Sequence, residues 1–208
     1  MKISVMVCMV MLLFSFIPNQ DIKTIKLGIT CPMADIKFKN IDNTEKSLNE
    51  FKKENGIIVI FSCNACPFVV GGDNSEGWEG RYNEIEKTAS ENKTAMVLVN
   101  SNHAKRDKGD SFDDMVKHAE EKKYAMPYLY DDESKLANAF GARTTPHVFL
   151  FDKNMKLIYR GSIDDNVTSA KEVKEKYLEL AIIANAAGNK IKKKDTKAIG
   201  CSIKRVAK

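Results

Sequence analysis

Two cysteines separated by two residues, Cys63 and Cys66, are the strongest chemical signal in the sequence. They follow a continuous apolar run, 56–62, which predicts a strand buried on both faces, and they precede a segment with helical spacing. Backbone N–H groups at a helix N-terminus favour thiolate over thiol, and this spacing brings two sulfurs within disulfide reach. The pattern predicts thiol–disulfide exchange, with Cys63 at or near the N-cap as the exposed attacking sulfur and Cys66 as the sheltered resolving sulfur.

Zinc binding and an inert disulfide are the competing interpretations of this pair. A structural zinc site needs four ligands, usually with a second pair at matching spacing. Cys31 and Cys201 are single, and the three histidines are scattered along the chain at 103, 118 and 147. Because a strand followed by Cys-x-x-Cys and a helix is the arrangement used for redox chemistry, we predict no metal and no cofactor at this site.

Thr145 and Pro146 form the second part of the predicted site. They stand just before an apolar strand, 147–151, which a turn joins to another strand at 157–160. In a fold of this order Pro146 would lie beside the cysteine pair, and a cis proline there would leave backbone groups pointing outward. An extended segment of a client protein can pair with such groups by strand addition. We therefore predict that Thr145 and Pro146 bind substrate.

The elements that must position these residues alternate along the chain. Strands are predicted at 35–39, 56–62, 95–99, 127–130, 147–151 and 157–160. Helices are predicted over 47–53, after Cys63, from Trp78, after a cap at Asp110 or Ser111, over 134–140, and from a capping box at Ser169 and Glu172 to Gly188. The fold class is therefore α/β: a mixed sheet of parallel strands plus a C-terminal antiparallel hairpin, with helices on both faces.

Length and composition indicate one globular domain. The chain has 208 residues, of which 43% are hydrophobic and 29% charged. The formal charge of +5 comes from the end of the chain, where eight basic residues accompany a single acid, Asp195. An otherwise slightly acidic chain argues against a nucleic-acid-binding domain. We predict a domain at 21–188 and a solvated basic tail at 189–208, with contact to an anionic membrane surface as a further role of the tail.

The first twenty residues have the pattern of an export signal. Lys2 precedes an apolar run from Ile3 to Ile17, which contains Cys8 and is shorter than the about 20 residues of a membrane-spanning helix. A small-x-small cleavage site is not evident after it, so an uncleaved membrane anchor stays an alternative. Residues 1–20 thus predict export to the periplasm or anchoring on its side of the membrane, a compartment that permits disulfides.

Several other residues are candidates with two interpretations each. Cys31 and Cys201 are predicted to form a structural disulfide, or Cys201 is a third redox cysteine. His147 would complete a Cu(I) site with the two thiolates, unless it points the other way along its strand. His103 is a candidate proton carrier or a solvated loop histidine. Asp164 and Asp165 are interpreted as turn and cap residues, and Trp78 as core.

Seven segments carry a family resemblance: 61–68, with the two cysteines, 99–102, 127–131, 145–146, 149–152, 159–165 and 200–203. Together they resemble the thioredoxin superfamily, in its exported redoxin branch related to the alkyl hydroperoxide reductase/thiol-specific antioxidant family. The resemblance runs from about Gly28 to the C-terminus. It implies a thioredoxin-like three-layer fold and thiol–disulfide exchange, with Cys63 as nucleophile, Cys66 as resolver and Pro146 as substrate platform.

Two departures from the family pattern concern the chemistry. A peroxiredoxin places Thr or Ser three residues before its peroxidatic cysteine and a Pro further upstream. Counted from Cys63, those positions are Ile60 and Gly56, which argues against peroxide activation. Thioredoxin also keeps a buried acid on the strand before its cysteines, and 56–62 holds none. The group that takes the proton of Cys66 is therefore left open.

We predict a thiol–disulfide oxidoreductase that reduces disulfides of exported proteins. Its partners would be client disulfides or thiols and an upstream thiol electron donor, with membrane association through the N-terminus as an option. A thiol peroxidase is the enzymatic alternative. A Cu(I)-binding chaperone on a thioredoxin fold is the alternative without catalysis.

Overall fold

The computed structural model describes residues 22–206, which form a seven-stranded mixed sheet with helices on both faces. The strands are β1 (Lys37–Asn40), β2 (Glu45–Ser47), β3 (Ile57–Ser62), β4 (Ala95–Asn100), β5 (Tyr128–Tyr130), β7 (His147–Phe151) and β8 (Leu157–Gly161). Their order across the sheet is β2-β1-β5-β4-β3-β7-β8. A separate pair joins β6 (Thr144–Thr145) to β9 (Cys201–Ser202). The predicted fold class is confirmed.

The centre of the sheet is built from the two strands with continuous apolar sequence. All residues of β3 and β4 are buried, and the two strands run parallel, with Ile57 opposite Ala95 and Ser62 opposite Asn100. β5 continues the parallel set beside β4, whereas β7 and β8 add the predicted antiparallel hairpin beside β3. Parallel strands end at the same edge, so Cys63 emerges next to the loop after β4.

The helices divide the apolar core between the two faces of the sheet. They are α1 (Leu48–Phe51), α2 (Pro67–Val70), α3 (Tyr82–Glu91), α4 (Phe112–Glu121), α5 (Lys135–Phe140) and α6 (Tyr177–Ala186). One core holds the buried residues of α3, α4 and α6 together with both cysteines of the pair. The other holds those of α1 and α5 together with Cys31 and Ile203. Alternate residues of β3 face alternate cores, as the period of a strand requires.

Two elements differ from the sequence predictions. The polar strand β2 was not predicted, because its sequence Glu-Lys-Ser lacks apolar character and only its pairing with β1 defines it. The predicted capping box at Ser169 and Glu172 is wrong, since Ser169 makes no side-chain cap bond and only a three-residue 3-10 helix follows. After this short helix, the N–H groups of residues 174 and 175 donate to the carboxylate of Asp165. The helix α6 therefore begins later than predicted, at Tyr177.

The described lysines of the basic tail are exposed, as the prediction of a solvated tail requires, but the segment itself is docked on the domain. Ile191 and Ile203 are buried, and Asp195 forms a 2.6 Å ion pair with Arg160. Gly161 has φ +137°, and a Cβ there would lie 2.1 Å from the hydroxyl of Thr196, so the tail passes directly against β8. Two buried isoleucines and backbone hydrogen bonds thus attach to the domain a segment that its lysine content predicted to be free in solvent.

The predicted export signal at 1–20, with Cys8, lies outside the described residues. Within residues 22–206, none of the helices has the length and apolar character needed to cross a membrane.

Candidate active site

The cysteine pair lies where β3 ends and the short helix α2 begins. Pro67 is the first helical residue, where a missing N–H costs little, and Cys66 is the N-cap. The predicted placement of Cys63 as an exposed N-cap sulfur is therefore wrong. Cys63 lies on the turn before the cap and is 1% exposed, whereas Cys66 is 6% exposed. None of the four cysteines in residues 22–206 is in a disulfide.

Thr145 contacts both sulfurs from the opposite side of the site. Its Oγ1 lies 3.2 Å from Sγ of Cys63, and its carbonyl oxygen lies 3.2 Å from Sγ of Cys66. The bond between Thr145 and Pro146 is cis, in the position that the sequence placed beside the pair. The structure therefore brings together all four residues of the predicted site.

Cys201 completes a cluster of three sulfurs. In the β6/β9 pair it lies opposite Thr145, one residue before Pro146. It packs against the core that contains both cysteines of the pair, and its thiol and backbone N–H contribute to the lowered pKa of Cys66. From the sequence, Cys201 was either half of a structural disulfide or a third redox cysteine, and no sequence pattern indicated that it lies near Cys66.

The three sulfurs differ in their affinity for a proton. A hydrogen bond from Cys63 is the main cause that lowers the pKa of Cys66 to about 5, and hydrogen bonds from Cys201 and Thr145 add to it against the effect of burial. The same bond to Cys66, with burial and the nearby carboxylate of Asp110, raises the pKa of Cys63. Burial, then the bond to Cys66, raises the pKa of Cys201 to about 11. These hydrogen bonds favour the loss of a proton from Cys66 over its loss from Cys63 or Cys201.

Asp110 is a site residue whose role the sequence did not reveal. It was a candidate cap for α4, but Ser111 is the N-cap and accepts the N–H of Asp114 at 3.0 Å. The buried carboxylate of Asp110 instead accepts the N–H of Asn64 at 3.0 Å, inside the cysteine pair. The amide of Asn100 donates to it at 2.7 Å. A buried acid thus lies below the cysteine loop, on the neighbouring loop rather than on β3.

Asn64 is fixed by its side chain as well. Its amide oxygen accepts from the hydroxyl of Tyr128 at 2.9 Å, and its NH₂ group donates to the carbonyl of Gly109 at 2.9 Å. Arg106 holds the same loop, since it donates to the carbonyls of Asn100 at 2.7 Å and Asp110 at 2.6 Å. The turn between the two cysteines is therefore rigidly hydrogen-bonded to the ends of β4 and β5.

The predicted disulfide between Cys31 and Cys201 is wrong. Cys31 belongs to the core on the other face of the sheet, where its N–H donates to the carbonyl of Met155 at 2.8 Å. Burial raises the pKa of Cys31 to about 12. The sheet separates the two cysteines, which leaves Cys201 with the redox pair and Cys31 as a core residue.

The histidine candidates lie away from the sulfurs. His147 is buried against Phe149, with ring centroids 4.5 Å apart, on the face of the sheet opposite the cysteine pair. Burial lowers its pKa to about 3. His103 accepts the N–H of Glu133 at 3.1 Å in a loop. The hypothesis of a Cu(I) site with His147 therefore lacks its third ligand, and residues 22–206 hold no other metal-ligand cluster of three.

Asp164 and Trp78 act together in the fold rather than in the site. Asp164 is buried and accepts from Nε1 of Trp78 at 2.8 Å and from Arg81 at 2.5 Å. It is thus more than a turn residue, whereas Trp78 is core, as predicted. Asp165 caps the backbone before α6, as described above.

The comparison with protein families agrees with this geometry. The family model described as Redoxin matches residues 27–177. The chain belongs to the redoxin family. No curated protein matches the chain.

Solved structures share the fold of this chain. An uncharacterized conserved protein from Geobacillus kaustophilus is 30% identical, with a TM-score of 0.79 over 88% of this chain and 94% of that one. A hypothetical protein from Sinorhizobium meliloti 1021 is 29% identical, with a TM-score of 0.79 over 89% and 98%. A secreted disulfide oxidoreductase from Mycobacterium tuberculosis is 10% identical over 73% and 97%, with a TM-score of 0.53, which shows the shared fold alone. The chain has a thioredoxin-like fold.

Proposed function

We propose that this redoxin is a thiol–disulfide oxidoreductase that uses Cys66 as the attacking sulfur and Cys63 as the resolving sulfur. The observation that carries the proposal is the position of Cys66, which is the N-cap of α2 and the more exposed sulfur of the pair. Hydrogen bonds from Cys63, Cys201 and Thr145 lower its pKa, which is the direction that a nucleophile needs. A thiolate is the nucleophile of disulfide exchange, and its neighbour must give up a proton only in the second step. This reverses the roles that the family resemblance implied for the two cysteines.

The reaction takes two exchanges. The thiolate of Cys66 attacks one sulfur of a client disulfide, so that a Cys66–client bond forms and the other client sulfur leaves as a thiolate, which is then protonated. Cys63 then attacks Sγ of Cys66, the Cys63–Cys66 bond forms, and the second client sulfur leaves with the proton of Cys63. The client disulfide is reduced to two thiols, and an upstream thiol donor must regenerate the pair.

Trapping variants test this assignment. In Cys63→Ser combined with Cys201→Ser, the mixed disulfide on Cys66 has no resolving thiol, so client proteins should accumulate as adducts on nonreducing gels. The matched variant Cys66→Ser combined with Cys201→Ser should trap few. Adducts in the second variant only would overturn the assignment of Cys66 as the attacking sulfur. If both variants reduced insulin disulfides as fast as wild type, the proposed oxidoreductase activity would be overturned.

The direction of exchange depends on the reduction potential of the pair. A stabilised thiolate favours the dithiol form, so we expect a potential above the about −270 mV of thioredoxin but below the about −180 mV of protein disulfide isomerase. Such a value fits a reductase of client disulfides. Titration in glutathione buffers with mass readout measures it, and a value near the about −120 mV of a strong oxidant would overturn the reductase role.

A thiol peroxidase is the second candidate, because the Cys66 thiolate has the hydroxyl of Thr145 among its hydrogen-bonding neighbours. Attack on hydrogen peroxide would give a Cys66 sulfenic acid and water, and condensation with Cys63 would release a second water. Peroxide consumption by the reduced protein, and dimedone labelling of Cys66 in the Cys63→Ser Cys201→Ser variant, test this candidate. Consumption no faster than by Cys66→Ser would exclude it.

Export is proposed from the N-terminal segment alone. Cell fractionation together with the N-terminal mass of the purified protein tests it. A cleaved chain or a membrane-bound chain outside the cytoplasm supports export, and a full-length chain in the cytosolic fraction overturns it.

A further inference from the structure

The strand β9 occupies the edge where an extended client was predicted to pair. β9 runs antiparallel to β6, and Cys201 lies opposite Thr145, next to Pro146. Backbone pairing beside the redox sulfurs is how strand addition would present a client cystine. In this structure the strand added at that edge is the protein's own, and it carries a cysteine.

The docking of this strand is specific on both sides of Cys201. A Cβ on Gly200 would lie 2.2 Å from the carbonyl oxygen of Thr145, so the backbone approaches too closely for any other residue. Ile203 is buried in the core, and its N–H donates to the carbonyl of Arg143 at 3.0 Å. The N–H of Lys204 donates to the side chain of Asn102 at 2.9 Å. Because β9 is held at these points, the thiol of Cys201 stays close to Cys66.

We propose that Cys201 is a third redox-active cysteine, an internal thiol that resolves mixed disulfides on Cys66. The proposal rests on the proposed oxidoreductase function and names a second route for its second step. It follows from the packing of Cys201 against the core that contains Cys66, from its position opposite Thr145, whose carbonyl oxygen lies 3.2 Å from Cys66, and from the close approach at Gly200.

The step balances without a further reactant. In a Cys66–client mixed disulfide, the sulfur of Cys201 attacks Sγ of Cys66, the Cys66–Cys201 bond forms, and the client sulfur leaves and takes the proton of Cys201. Two thiols of the enzyme are oxidised as the client disulfide is reduced. Cys63 then attacks Sγ of Cys66, the Cys63–Cys66 bond forms, the Cys66–Cys201 bond breaks, and Cys201 leaves as a thiol with the proton of Cys63.

The test uses the full chain with Cys63→Ser, so that Cys201 is the remaining resolving thiol at the site. The reduced protein is treated with glutathione disulfide, quenched with an alkylating reagent and mapped by mass spectrometry without reduction. We expect an intramolecular Cys66–Cys201 disulfide that forms at a rate independent of protein concentration. A stable glutathione adduct on Cys66, with Cys201 alkylated, would overturn the proposal.

Two glycine variants test whether the docked strand positions the thiol. Gly200→Ala in the Cys63→Ser background should slow formation of the Cys66–Cys201 disulfide by about tenfold, since the strand loses its place and the effective concentration of the thiol falls. Gly80→Ala is the matched control, because a Cβ at Gly80 meets no atom within 4 Å. Equal rates in the two variants would contradict positioning by β9. Cys31→Ala controls for the fourth cysteine and should leave the rate unchanged.

The wild-type protein separates failure of this proposal from failure of the proposed function. If glutathione disulfide yields the Cys63–Cys66 disulfide in wild type but no Cys66–Cys201 disulfide in Cys63→Ser, Cys201 is not a resolving thiol and the oxidoreductase stands. If neither disulfide forms, both fail. Should Cys63→Ser not fold, as judged by circular dichroism, mapping of partly oxidised wild type supplies the same answer, since a Cys66–Cys201 fraction supports the proposal and its absence at every stage overturns it.

Discussion

Thr145 is the residue through which the site is connected. Its hydroxyl contacts Sγ of Cys63, and its carbonyl oxygen contacts Sγ of Cys66. Its backbone pairs with Cys201, the third cysteine of the site. It is also almost fully buried, so its hydroxyl acts in a site from which water is largely excluded. A single hydrogen bond from such a group changes the energy of a thiolate more than it would in water.

Replacement of Thr145 by Val should therefore raise the pKa of Cys66. The change removes the hydroxyl and keeps the volume and the carbonyl. Loss of one hydrogen bond to a charged group should reduce the thiolate population below the pKa by about tenfold. The pH dependence of Cys66 alkylation, followed by peptide mass, measures this shift. Thr145→Ser keeps the hydroxyl and should resemble wild type, and an unchanged profile in Thr145→Val would refute the role of the hydroxyl.

Asp110 supports the loop between the cysteines and also acts on Cys63 by its charge. Asp110→Asn should lower the raised pKa of Cys63, because one cause of that shift disappears. It should also cost about 1–3 kcal/mol of unfolding free energy, because an amide places donors against Asn100 and Asn102. Urea unfolding and the alkylation profile of Cys63 measure the two effects. A change in stability with no change at Cys63 would mean that Asp110 acts on the fold alone.

At the scale of residues, the sequence predicts which side chains form the candidate site better than it predicts the contacts around them. The spacing of Cys63 and Cys66 after an apolar strand, and the position of Pro146 before a hairpin, are local patterns, so the site could be found. The roles proposed for the two cysteines could not be predicted, because they rest on contacts with Cys201, Thr145 and the loop of Asp110. Those contacts join segments far apart in the chain, and a local pattern does not encode them.

At the scale of elements, the buried strands were predicted well because their continuous apolar sequence admits few alternatives. The strands β2 and β9 were not predicted, because their sequences lack an apolar pattern and only their backbone pairing with a neighbouring strand defines them. The failed capping box at Ser169 has the same origin, since the carboxylate of Asp165 competes for backbone N–H groups that a longer helix would use. Side-chain bonds to the backbone can thus override a local helix signal.

Glu79 connects the start of α3 to α4 and to the chain after it. It is buried and accepts hydrogen bonds from Tyr124 at 2.5 Å and from His118, and it pairs with Lys122 at 2.9 Å. Burial alone would raise the pKa of Glu79, but these three partners together lower it to about 2. The contact between the two helices is therefore strongest when Glu79 is ionised.

Glu79→Gln should lower the unfolding free energy by about 2 kcal/mol at neutral pH, the range for hydrogen bonds to a charged group. Because the folded pKa is below the about 4.3 of an unfolded glutamate, the contribution is complete above that pH and is lost as the pH falls towards 2. Urea unfolding of both proteins at pH 7 and pH 3 measures this. The gap between them should narrow at pH 3, and a constant gap would contradict a role for the charge.

At the scale of the whole molecule, the segment 194–204 crosses the candidate site and covers the cysteine pair. The last described residues cross from the edge of β8, past the cysteine pair, to the loop after β4, and the burial of Ile203 joins them to the core. Both sulfurs of the pair are nearly inaccessible in this state. Under the proposed function, a client would therefore reach them after β9 leaves its edge, in a locally opened form.

Such an opening should be visible as a low-energy event in hydrogen exchange. β9 has two residues and is held by few backbone bonds, and segments of this kind open before the central strands do. Backbone amides in 200–204 should exchange faster than those of β3 and β4 in the reduced protein. Gly200→Ala should speed them further, whereas Gly80→Ala should not. Conversion of Cys63→Ser to the Cys66–Cys201 disulfide should slow them, because the covalent bond closes the opened state. Amides of 200–204 that exchange as slowly as β3 would mean that client entry requires global unfolding, which is incompatible with rapid turnover.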